Sequence, residues 1–102
     1  MLHRYRIVSS YFRRCMPVSV SIRRVRMGND GWGEAKKIRG KYRITISSSL
    51  DDVASVVILL HELAHVLSWE KDTHPSDHGP EFGRAYSKIW RMYLELLDNW
   101  PD

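Results

Sequence analysis

The chain has 102 residues, of which 43% are hydrophobic and 27% charged, and carries a net charge of +4. That length suits one compact domain with a small core, spanning 1–102, rather than two domains. No run of eighteen or more apolar residues occurs, so no membrane span is expected.

The charge is unevenly divided. Residues 1–50 hold twelve Lys/Arg against Asp30 and Glu34, a net +10, whereas residues 51–102 hold four against ten Asp/Glu, a net −6. A basic half of this kind suits an anionic partner, nucleic acid being the common one; the competing explanation is that Arg-rich strands and helices are simply solvated faces. The N-terminus has no continuous apolar segment, so no secretory signal is read there. The single cysteine, Cys15, has no partner for an internal disulfide and reads as a small core residue. Both features suit a reducing, cytoplasmic setting, with a monomer as the expected state.

In chain order, Leu2, Tyr5, Val8, Tyr11, Phe12 and Cys15 recur at helical spacing with arginines between them, which predicts an amphipathic helix over residues 2–15. His3, Tyr5 and Ile7 also alternate, leaving a strand at the extreme start open, and Pro17 limits any helix to about residue 15. Val18, Val20 and Ile22 alternate with polar residues as in a strand. Val25 and Met27 take the opposite parity, which predicts a bulge or twist near Arg23-Arg24. Residues 28–33 are turn-rich, Glu34 to Arg39 can form a polar strand, Gly40 offers a tight turn, and Lys41 to Ser47 alternates cleanly. A three-stranded antiparallel meander is the expected sheet.

Ser49 followed by Asp52 resembles a capping box at the head of a helix from about Leu50 to Trp69, with Val53, Val57 and Leu67 extending its apolar stripe. Residues 70–79 read as loop. Pro80 fits the first turn of a last helix that carries Phe82, Tyr86, Ile89, Tyr93, Leu96 and Leu97 on its packing face. The fold class is therefore α+β: an N-terminal helix, a small sheet, and two helices.

Within the long helix lies His61-Glu62-Leu63-Ala64-His65. Histidines four apart share a helix face, so both imidazoles can reach one zinc ion, while Glu62 projects beside it, where a carboxylate can take the proton of a zinc-bound water. The chemistry implied is metal-assisted hydrolysis, most often of a peptide bond. Chance placement of two histidines is the alternative; against it, His and Glu are seldom buried without partners in a helix as apolar as this one.

A catalytic zinc takes three protein ligands. Candidates for the third are His74, His78 and Glu81, and His78 is favoured because it precedes Gly79-Pro80 at a helix start. The metzincin pattern fails, since Ser68 and Lys71 stand where it needs Gly and His.

His61-Glu62-x-x-His65, followed by His78-Gly79-x-x-Phe82 and preceded by the strand Tyr42-Arg43-Ile44-Thr45-Ile46, resembles the SprT-like metallopeptidases, which include the Spartan proteases. The resemblance covers roughly residues 17–95. It implies one Zn2+ bound by His61, His65 and His78, Glu62 as catalytic base, a protein or peptide substrate, and an association with DNA that suits the basic half. The cysteine-rich zinc ribbon found after the catalytic domain of many such proteins is absent from these residues, which leaves a catalytic core.

An exposed strand edge, with residues 41–47 as candidate, would pair with an extended substrate. Tyr86, His74 and Arg84 are candidate oxyanion donors. Two rival functions remain: a zinc-containing nucleic-acid-binding protein with little or no peptidase activity, and a purely structural zinc site with His74 or Asp77 as fourth ligand.

Overall fold

A computed structural model describes residues 2–28, 31–71 and 78–101. In chain order it contains α1 (His3–Cys15), β1 (Val20–Val25), β2 (Gly33–Ile38), β3 (Lys41–Ser47), α2 (Asp52–Ser68) and α3 (Pro80–Asp98). The predicted α+β class holds. No helix among the described residues is long and apolar enough to cross a membrane.

The start of the chain is helix, not strand. Tyr5, Val8, Ser9 and Phe12 form the buried stripe of α1, and Arg13 and Arg14 fall in its last turn, where cations favour the negative helix end. Met16, one residue beyond the helix, completes the buried stripe four positions after Phe12. That displaces Cys15, which is exposed and not the core residue expected from its chemistry.

The sheet departs from a meander. Its order is β1-β3-β2, with β2 antiparallel to β3 but β1 parallel to it. The cause lies in β3, whose Tyr42, Ile44, Thr45, Ile46 and Ser47 are all buried; the most apolar strand takes the centre, and the polar β2 is left at an edge. β1 and β2 therefore run in opposite directions with one strand's width between them. The β2–β3 hairpin closes on Arg39 and Gly40, both at positive φ, as a two-residue I′-type turn requires. The expected bulge at Arg23-Arg24 is not formed, because β1 pairs residue for residue with β3 from Val20↔Tyr42 to Val25↔Ser47. The change of parity has another origin: Arg24 donates to the carbonyl oxygens of Ser48 and Leu50 and lies over the Tyr5 ring, tying the β3–α2 connection to α1.

α2 packs on β2 and β3, on α1 and on α3. Its core face is Val56, Leu59, Leu60, Leu63 and Val66, joined by Ile44 and Ile46 from the sheet, Val8 and Phe12 from α1, and Phe82, Ile89 and Tyr93 from α3. Val53 and Val57 do not extend this stripe: they are 61% and 41% exposed.

The N-terminus of α2 also differs from the capping box. Asp51 is the N-cap, accepting from the Ala54 amide at 2.8 Å, while Ser49 bonds to Ser47. Asp52 reaches across instead, its two carboxylate oxygens accepting from the amides of Arg4 at 3.0 Å and Tyr5 at 2.7 Å. The first turn of α1 has no cap of its own, so a residue of α2 supplies one. Asp52→Ala should therefore cost about 1–2 kcal/mol in urea unfolding, and Ser49→Ala less than about half of that, the reverse of what the capping box would give.

Candidate metal centre

His61 and His65 lie one turn apart on α2, with ring centroids 4.9 Å apart. His78, immediately before Gly79 and the first turn of α3, brings a third ring to 5.0 Å from His61 and 4.9 Å from His65. One ring nitrogen from each of the three lies within 4.8 Å of the others. The Nε2 atoms of His65 and His78 are 3.1 Å apart, close to the roughly 3.3–3.4 Å that two nitrogens of one tetrahedral zinc subtend at ordinary bond lengths. Three imidazoles with nitrogens converging on one point form a donor set compatible with zinc.

Phe82 explains why the rings converge. Its side chain is buried, and its ring centroid is 5.1 Å from that of His61, 4.5 Å from His65 and 4.7 Å from His78. One phenyl group thus limits the rotation of all three imidazoles. The helical spacing marks Phe82 only as core; its place four residues after His78, on the first turn of α3, is the signal for this second role.

Glu62 shares the lining of one groove with His61 and is only 8% exposed. Its carboxyl is pushed up to about 7, first by burial and then by the negative charge of Glu34. His61 is held below the ordinary imidazole value, mainly by burial and then by its neighbour His78, which favours the neutral, ligand-competent ring. Beside these groups runs an open groove of about 310 Å³, lined along α2 by Val57, Ile58, His61 and Glu62, and otherwise by Trp32, Gly33 and Tyr86. Gly33 has to be glycine for spatial reasons: a Cβ there would lie 2.5 Å from Ile58 Cγ2 and 3.4 Å from Glu62 Cγ. The turn-rich composition around Gly33 conceals this contact from a sequence reading.

The remaining candidates separate clearly. Glu81 pairs with Arg84 at 2.6 Å and is not part of the cluster. Arg84 lines a different depression, between Ser68 and Lys88, whereas Tyr86 lines the groove and holds its ring 5.8 Å from that of His61. His74 and Asp77 lie outside the described residues.

The raised Glu62 pKa has a measurable consequence in metal-free protein. The folded state keeps the Glu62 proton to about pH 7, whereas an unhindered carboxyl loses it near its ordinary value of 4.5. Between those values the folded state binds more protons than the unfolded chain, so this group's contribution to stability falls as pH rises and levels off above about 7. Glu62→Gln removes the effect. In chelator, the stability of the variant relative to the parent should grow across that window by up to about 3 kcal/mol, read by urea unfolding at successive pH values.

No curated protein and no solved structure matches the chain. The model of the SprT-like family does match, over residues 4–99, which takes in every described helix and strand except the first residue of α1. The protein belongs to the SprT-like family.

Proposed function

We propose that the protein is a zinc-dependent metallopeptidase. The observation that carries this reading is the convergence of three histidine nitrogens beside a buried carboxyl poised near neutrality, in a chain whose family suggests a metallopeptidase-type domain. His61, His65 and His78 would hold the ion. When bound, zinc supplies Lewis acidity to the scissile carbonyl and lowers the pKa of a water molecule to near 7.

The other steps belong to the protein. Glu62 takes a proton from the attacking water and delivers it to the leaving amine, and a carboxyl with a pKa of about 7 is matched to both transfers near neutral pH. Phe82 keeps the imidazoles in register, and Tyr86 is the oxyanion donor among the residues lining the groove. The strand that would receive an extended substrate is β2, not β3 as the sequence suggested, because both edges of β3 are already paired while β2 keeps one edge open.

Glu62→Gln should retain one zinc per chain and lose about 10²–10⁴-fold in peptide hydrolysis, measured on an unfolded protein substrate. His78→Ala should lower zinc affinity by at least the roughly 10–100-fold that even outer-shell changes cost. Parent-like cleavage by Glu62→Gln would overturn the mechanism.

A second reading, nucleic-acid binding, is favoured by where the free positive charge lies. Several basic residues are committed internally: Arg4 to the Tyr93 hydroxyl, Arg13 to the Ile22 carbonyl, Arg24 to the β3–α2 connection and Lys37 to Glu70. Of the others, Arg23, Lys41 and Arg43 lie exposed on the face of the sheet turned away from α2. There Arg43 stands in register with Ser21 and with Lys36, which pairs with Glu34 at 3.6 Å. Reversing Lys41 and Arg43 together to Glu should weaken binding to a short DNA duplex and reduce the dependence of log affinity on log salt by about 2, with zinc content unchanged. Absence of binding by the parent at low salt would remove this reading.

A further inference from the structure

α2 presents Val53, Val57 and His61 in a row four residues apart. The two valines stay exposed, although every other branched apolar residue of the helix from Val56 to Val66 is buried or packed on the core. Trp32, at the entrance to β2, is 65% exposed and lines the groove together with Val57 and Ile58. Isolated apolar residues on a surface are ordinary; a contiguous set, one of them tryptophan, marks a surface that receives something apolar. Among the described residues, Glu62 is the only acidic or basic side chain lining this groove besides the imidazole of His61, so an acidic ligand group would find no lysine or arginine there.

We infer that this groove is a specificity subsite for a large apolar side chain, borne by the substrate residue adjoining the bond cleaved at the metal centre. The occupant follows from continuity: His61 and Glu62 are walls of the same groove, so a group extending from the histidine cluster along α2 meets Val57 and Trp32 next. The substrate class is thus polypeptide with Leu, Ile, Met or Phe beside the scissile bond. Trp32 and Val57 are the residues that set the preference; they touch the substrate side chain and take no part in the proton transfers. The inference rests on the hydrolytic reading for the identity of the bond, but not for the binding of the side chain.

The test uses the zinc-loaded protein and N-acetyl amino-acid hydroxamates of Leu, Phe, Ala and Asp, whose hydroxamate anchors at the metal and whose side chain projects beside it. Calorimetry should show Leu and Phe binding about tenfold or more tighter than Ala, with Asp weakest. Trp32→Ala and Val57→Asp should each shrink the Leu-to-Ala ratio several-fold while zinc stoichiometry and the affinity for the Ala compound hold. Equal affinities across the series, or a ratio unmoved by both variants, would overturn the subsite and leave the metal centre standing. No binding of any hydroxamate would overturn both. A parent dimer in sedimentation that both variants dissociate, without side-chain preference, would assign the patch to a second copy of the chain and overturn the inference as well.

Discussion

One phenyl ring in contact with three imidazoles is the constraint on which the site depends. Histidine rings that must meet at a point have two rotatable bonds each, and His78 comes from a different segment than His61 and His65. Phe82 resolves this by packing: it is buried, it belongs to the first turn of α3, and its ring touches all three. The same contact locks the head of α3 against the middle of α2, so core packing and the alignment of nitrogens are a single event. Because packed aromatic rings have few alternative arrangements, this packing restricts how the three imidazoles can be placed.

α2 has to form the core and line the groove at once. Leu59, Leu60 and Leu63 fill the space between sheet and helices, while His61 and Glu62, adjacent to them in sequence, face the groove. Burial of Glu62 is the physical source of its raised pKa, and two neighbours maintain it: Gly33, whose lack of a side chain lets β2 close against Ile58 and Glu62, and Glu34, whose charge adds to the effect. The edge strand thus acts on the electrostatics of the carboxyl as well as bounding the site.

Much of this was legible in the amino-acid order. Period-3.6 spacing located all three helices, and ligand spacing brought out His61, His65 and, through its place before Gly79-Pro80, His78. The sheet was only half legible. Alternation identifies strands but is blind to their order, and nothing local distinguishes β1 as parallel to β3. The valines of α2 misled for a related reason: Val53 and Val57 fit a helical stripe, but hydropathy does not say which of two apolar faces the fold will cover. Asp52 was legible as a capping residue and illegible in its target, because the amides it accepts from lie at the other end of the sequence.

That long-range cap makes α1 something other than a detachable leader. Loosening of its first turn and fraying at the head of α2 expose the same carboxylate, so the two helix ends form one cooperative opening unit. Hydrogen exchange at the Arg4 and Tyr5 amides thereby becomes a remote gauge of the helix that carries the histidines.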